Sequence, residues 1–314
     1  MGFGPENIST YGGAIDSMYF VILALTGITF IGVELALVVF MIQYRQGSGA
    51  RVRGDVEGNN KLELLWTAIP AGLMALVAFG GQSLWATIRD PNAIPDDAVP
   101  IEVSARQFAW DIRYTGPDGK FGKTKTKLIT EENPFGLDPE DAAGKDDIIS
   151  DSIMCVPVGR AVKVSITSKD VIHSFFLPNV RIKQDAVPGM TVDIWFQVTK
   201  TTNQALEEWK KAKTAAKSIE QVTREVAMGL LVTSAEAISG KGEEIVGADS
   251  LIIDVETCQK IKAAGVKQLK VYPDFDFQIV CAELCGNAHF KMKGTLKVET
   301  LADFEQWLKD NAPS

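Results

Sequence analysis

Hydrophobic and polar positions divide the chain into two unlike stretches. From Met18 to Ile42 there are 25 residues with one charge, Glu34, and from Leu64 to Ile88 another 25 with none. At 1.5 Å rise per residue each run makes a helix of roughly 37 Å, enough to cross a hydrocarbon core of about 30 Å. The pattern predicts two spanning helices, about 18–42 and 64–88, with Pro70 tolerated near the start of the second. Core helices of a soluble domain seldom run so long without charge. A cleavable signal peptide fits the first run poorly, because it lacks a basic leader and an A-x-A site.

Beyond Arg89 the period changes. After a Pro-rich link at 91–100 come short, alternating or β-branched runs at 101–114, 152–168, 191–198, 277–284 and 295–298. The GPDG at 116–119 reads as a hairpin turn. Several short strands between turns predict an all-β Greek-key barrel anchored by the helical hairpin. The division is residues 1–90 for the hairpin and 91–314 for the exterior domain. Residues 200–270 exceed what one strand and a connection need, so they read as a partly helical insertion, with a helix over 203–228. The acidic run 134–151 reads as a solvated surface loop.

Composition sharpens this picture. The net charge is −8, and only five of the 32 basic residues precede residue 91. Four of these, Arg45, Arg51, Arg53 and Lys61, fall in the connection 43–63. The positive-inside rule then puts that connection in the cytoplasm, and the N-terminus and exterior domain in a bacterial periplasm. Glu34, costly in lipid, is expected to face a protein neighbour. The hairpin has no pathway of its own and reads as an anchor on a larger membrane partner. The acidic balance argues against nucleic acid and for a basic protein partner.

The chemistry concentrates in twelve residues. Cys281, Cys285, His289 and Met292 follow the spacing C-x3-C-x3-H-x2-M, and the chain's one other histidine is His173, in DVIHSFFLP. Thiolate, imidazole and thioether donors on one loop suit copper, and Gly286 lets the backbone fold tightly. Two cysteines on the loop suit a centre with two bridging thiolates better than a single blue copper ion. Zinc has no use for Met292. A Cys281–Cys285 disulfide is allowed in an oxidising compartment but leaves Met292 and His173 unexplained.

The runs KLELLWTAIPA (61–71), ARQFAWDIRY (105–114), VPVGR (156–160), DVIHSF (170–175), KQDAVPG (183–189) and CAELCGNAHFKM (281–292) closely resemble subunit II of the haem–copper cytochrome c oxidases. The resemblance implies a cupredoxin domain carrying a dinuclear CuA centre. Cys281 and Cys285 bridge two copper ions, each with one of His173 and His289, and Met292 and the Glu283 backbone carbonyl complete the set. It implies that the Glu283 side chain binds Mg2+ or Mn2+ at the interface with subunit I, and that Glu63 lies at the mouth of a proton channel. The chain is then the non-catalytic electron-input subunit of a terminal oxidase containing subunits I and III. Electrons arrive from a cytochrome c-type donor and leave for haem in subunit I, where oxygen reduction is coupled to proton pumping.

One departure bears on the donor. The family has Trp, Tyr and Trp where this chain has Phe108, Ala109 and Trp110. The first of those tryptophans is the usual point of electron uptake. Its loss suggests a haem c-containing donor fixed in a supercomplex, such as alternative complex III, rather than free cytochrome c, with Trp110 and Phe108 as candidate uptake residues. Cys155 reads as a buried apolar residue, with a Cys155–Cys258 disulfide as the other reading. The competing functions are a membrane-tethered copper carrier and a structural quinol oxidase subunit, although the latter lacks copper ligands.

Overall fold

The computed structural model describes residues 4–46, 58–213, 215–227, 233–238, 244–246, 251–252, 255–263, 265, 268–273 and 275–313. Arg51, Arg53 and parts of the 200–270 insertion lie outside the described residues.

Two long helices lead, α1 (Gly12–Gln43) and α2 (Asn60–Arg89). Each overruns its predicted apolar core by a turn or more, because polar residues at the ends extend the helix without entering lipid. The Asn59 side chain accepts from the backbone N–H groups of Lys61 (3.1 Å) and Leu62 (3.2 Å) and so caps α2. Neither helix buries its apolar stretch within the chain. Their length and lipid-like surface make the protein membrane-anchored.

The exterior domain is a sandwich of two five-stranded sheets. Its strands are β1 (Val99–Arg106), β2 (Ala109–Tyr114), β3 (Ile148–Asp151), β4 (Ile153–Pro157), β5 (Ala161–Ser168), β6 (His173–Leu177), β7 (Ile182–Ala186) and β8 (Val192–Gln197). An inserted unit follows: α3 (Thr202–Lys213), β9 (Ala215–Ser218), α4 (Ile219–Ala227), β10 (Thr233–Ile238), β11 (Glu244–Val246), β12 (Leu251–Ile252), α5 (Val255–Ala263) and β13 (Gln268–Pro273). The chain then re-enters the sandwich with β14 (Gln278–Cys281) and β15 (Lys293–Glu299) and closes with α6 (Leu301–Asp310). One sheet has the order β3-β2-β1-β5-β8 and the other β4-β15-β14-β6-β7; the inserted unit has its own sheet, β11-β10-β13-β9, with β12 on β10. Alternate residues point inward, as Ile101, Val103 and Ala105 on β1 and Val162, Val164 and Ile166 on β5, and are buried between the sheets.

Several sequence expectations need correcting. The run 101–114 is two strands folded back at Gln107 and Phe108, with Ala105 opposite Trp110. GPDG instead closes a local turn, Gly119 N–H donating to the Gly116 carbonyl, at the start of the long β2–β3 connection. Alternation continues through the real turn, so the pattern alone looked like one strand. The run 152–168 splits at Gly159 (φ +77°) into β4 and β5, which join opposite sheets. The acidic run 134–151 ends in β3, and its Asp147 is buried against Arg113. The predicted helix 203–228 breaks at β9, which pairs with β13; tertiary pairing overrides a helix-favouring composition there. Cys155 is buried in the sandwich core and Cys258 in α5, with no disulfide between them.

Candidate metal centre

Antiparallel pairing of β14 with β6 builds the centre. Cys281 sits opposite Phe175, and Ala282 N–H donates to the Ser174 carbonyl at 3.0 Å, so the end of β14 lies beside His173 at the start of β6. His173 is the first residue of β6. The chain then loops out through Cys285, makes a single 3-10 turn at His289–Lys291 and returns as β15. Cys281 N–H donates to the Met292 carbonyl at 3.3 Å and closes the loop.

The donors converge. Cys281 Sγ lies 3.8 Å from Cys285 Sγ and 3.9 Å from His173 Nδ1. Cys285 Sγ lies 3.5 Å from His289 Nδ1 and 3.7 Å from Met292 Sδ. The Glu283 carbonyl oxygen is 3.2 Å from Cys281 Sγ. His173, Cys281 and Cys285 form a cluster that could hold a metal ion. A disulfide needs about 2.05 Å between sulfurs, so these thiols are not joined and that alternative falls. Burial pushes the Cys285 thiol up to about 11, with the neighbouring Cys281 adding to it. The buried Cys285 sulfur is thereby held neutral unless a cation sits beside it, which favours metal binding over a free thiolate there.

The surroundings fix the donors. Asp170 Oδ1 lies 2.8 Å from His173 Nε2, and its other oxygen accepts from Gln107 N–H at 2.7 Å. Burial alone would raise the Asp170 carboxyl, but hydrogen bonds from His173, Gln107 and Val171 outweigh it and hold the group below its ordinary value. Gln107 also donates through Nε2 to the Cys285 carbonyl, tying the loop to the β1–β2 turn. Gly286 is required at that crossing. Its φ is +141°, and a Cβ would lie 2.7 Å from Gln107 Nε2 and 3.0 Å from a Phe108 ring carbon.

Trp110 is fully buried, edge-on to His173 (centroids 6.3 Å apart) and to Phe175 (5.3 Å). It cannot touch a docking protein, and Phe108, half-buried beside Gly286, is the more outward of the two candidate uptake residues. Asp111, next in β2, is buried and accepts from Arg106 Nε (3.1 Å) and from Lys169. Around the loop the surface is apolar: Leu284 is 79% exposed, Phe290 69% and Ile172 50%. The Glu283 side chain is exposed on the same loop. Glu63 is not brought to the cluster; it lies in the first turn of α2, about 40 Å along the helix from Arg89 at 1.5 Å per residue. Asp170, within DVIHSF, has a part in the centre that the motif alone does not assign. Its place three residues before His173 was the available signal. Gln107 carried none.

Residues 101–204 match the family model described as "Cytochrome C oxidase subunit II, periplasmic domain", and residues 11–84 that described as "Cytochrome C oxidase subunit II, transmembrane domain". The alternative cytochrome c oxidase subunit 2 of Bradyrhizobium diazoefficiens is 26% identical over 306 residues, covering 96% of this chain and 82% of that one. Cytochrome c oxidase subunit 2 of Thermostichus vulcanus is 25% identical over 334 residues, covering 99% and 79%. That of Cereibacter sphaeroides is 33% identical over 148 residues, covering 44% and 48%.

Proposed function

The chain belongs to the subunit II family of the haem–copper cytochrome c oxidases, and on that premise we propose that its exterior domain is the electron-input module of a terminal oxidase. His173, Cys281, Cys285, His289, Met292 and the backbone carbonyl of Glu283 would hold a dinuclear CuA centre. The observation that carries this reading is the pair of sulfurs 3.8 Å apart, each with an imidazole nitrogen within 4 Å and with one thioether and one carbonyl beside them. Held by Cys281 and Cys285, a copper pair would supply a one-electron relay whose change in charge is spread over the site.

The protein's part is to keep those donors still. His173 is held from behind by Asp170 and by the Trp110 ring, which Phe175 in turn backs edge-on. The loop is closed by its own backbone bonds and pinned by Gln107. A rigid shell of this kind lowers the reorganisation that accompanies each electron. Burial of His173, Cys285 and Met292 disfavours the carrier reading, since exchange of metal wants open ligands.

The remaining assignments follow this reading. The exposed Glu283 side chain would meet subunit I and bind Mg2+ or Mn2+ there, and Glu63 would lie at the cytoplasmic mouth of a proton channel. The complex, with subunits I and III, would sit in a bacterial inner membrane, its residues 91–314 in the periplasm. Leu284, Phe290 and Ile172 give the centre an apolar rim, and Asp111 is neutralised by Arg106 and Lys169. Such a surface suits a haem c-containing donor held in a supercomplex such as alternative complex III better than a basic protein arriving from solution.

Metal analysis and an EPR spectrum of the purified oxidase test the centre. Two coppers in this subunit sharing one unpaired electron are expected, and Cys285→Ser should abolish that signal. A single copper, zinc in its place, or a signal that survives the substitution would overturn the ligand set.

A further inference from the structure

Where α2 leaves the membrane its end meets the start of β7. The Arg89 guanidinium ends there, donating through Nη1 to Gln184 Oε1 (2.7 Å) and through Nη2 to the Lys183 carbonyl (3.1 Å). Both acceptors are neutral. Lys183 is exposed beside it. Arg181, on the β6–β7 turn just before them, is already paired with Asp16 at 2.7 Å. These three cations roof a cavity of about 410 Å³ whose lower walls come from the outer ends of both helices, among them Ile22, Leu84 and Ile88. Gly81 leaves room in one wall, no carboxylate lines the cavity, and Tyr19 and Trp85 flank it. Tyrosine and tryptophan at that height mark the boundary between hydrocarbon and headgroups.

The chemistry is that of one amphipathic anion. An apolar slot opens toward the bilayer, and its rim carries two positive charges, Arg89 and Lys183, not paired with an acid among the described residues. A neutral helix filling the slot would leave those charges facing apolar surface, and a free phosphate would leave the slot itself wet. We propose that this cavity binds an anionic phospholipid of the leaflet facing the sandwich, its phosphate on Arg89 and Lys183 and an acyl chain between α1 and α2. The bound lipid would join the anchor to β7, the strand paired with β6, which bears His173.

Photo-crosslinking in the intact oxidase tests this. The complex is reconstituted in vesicles of phosphatidylcholine doped with a photoactivatable phosphatidylglycerol, and labelled peptides are mapped. Labelling of residues 15–22 and 81–89 is expected, with little from a photoactivatable phosphatidylcholine. Each cation removed should weaken binding about fivefold, so Arg89→Gln with Lys183→Gln should reduce labelling by at least roughly tenfold. Ile22→Trp, which fills the slot and leaves the cations in place, should reduce it as well. Equal labelling by the two lipids, unchanged labelling in the double variant, or no labelling because a neighbouring subunit fills the cavity would overturn the proposal. Size-exclusion chromatography of each variant complex establishes that assembly is intact, independently of any copper signal.

Discussion

Asp170 holds His173 from the far side of its ring: the carboxylate takes Nε2 at 2.8 Å and so turns Nδ1 toward the Cys281 sulfur, 3.9 Å away. The carboxylate selects one tautomer and one ring orientation, as carboxylates behind metal-ligating histidines commonly do. Asp170→Asn keeps the shape and can still bond, but it removes the charge that favours a donating Nε2–H. Copper affinity should fall about 10–100-fold, read from competition titration with a copper chelator, while the melting temperature of the apo domain changes little.

Gly286→Ala should damage the loop through geometry alone. The added methyl meets Gln107 Nε2 and the Phe108 ring, and the φ of +141° is strained for alanine. A loss of about 1–3 kcal/mol is expected from thermal or denaturant unfolding, together with a broadened copper signal. Gly159→Ala is the control for backbone strain: it too has positive φ, but open space around it.

Arg113 is enclosed between Glu102 (3.0 Å) and Asp147 (3.7 Å), with the Phe121 and Phe135 rings 4.7 and 5.2 Å from its guanidinium carbon. Arg113→Leu removes the one cation these two acids share and should cost about 3–5 kcal/mol at neutral pH. Chemical denaturation of the variant oxidase measures it.

Burial raises both Glu102 and Asp147 above their ordinary values, despite the pull of Arg113. A raised carboxyl binds its proton more tightly in the folded state. Its stabilising contribution is therefore complete below the unfolded value, 4.5 for Glu102, and is lost as pH rises through the folded one. Glu102→Gln should flatten that part of the stability-against-pH curve, and an unchanged slope would show that Glu102 does not titrate there.

The apolar rim gives a prediction about the donor. Phe290→Ser should slow turnover with the native donor several-fold and leave the copper spectrum as it was. Turnover of the unmodified enzyme should depend weakly on ionic strength. Rapid, salt-sensitive turnover with free soluble cytochrome c would count against a fixed donor.

Much of this was legible from residue order alone, for identifiable reasons. The hairpin announces itself because lipid demands an unbroken apolar run, and β1, β5 and β8 because a two-sided sheet enforces alternation. The C-x3-C-x3-H-x2-M loop is local, so its donors are adjacent before folding. His173 needed the fold: it is 108 residues from Cys281, and only the β6–β14 pairing brings them together. The turn at Gln107 and Phe108 was hidden because neither residue is a turn former. α6 has too short an apolar face to stand out by itself: Phe304, Trp307 and Leu308 gain meaning only against the sandwich core, where Phe304 and Trp307 meet Tyr114 of β2. β9 is hidden in the sequence because its partner positions in β13 lie 50 to 56 residues later.

The inserted unit occupies most of the chain between His173 and Cys281, yet lengthening a connection is cheap, about 0.6 kcal/mol for each doubling. Clasping the two ends is worth far more. Any ion gripping both residues acts as a cross-link over the largest excursion in the exterior domain, and such clips restrict an unfolded chain most when the span is long. Copper starvation should therefore do more than silence the subunit. It should leave an unlatched form, still tethered to the bilayer, that proteases clear sooner than its loaded counterpart.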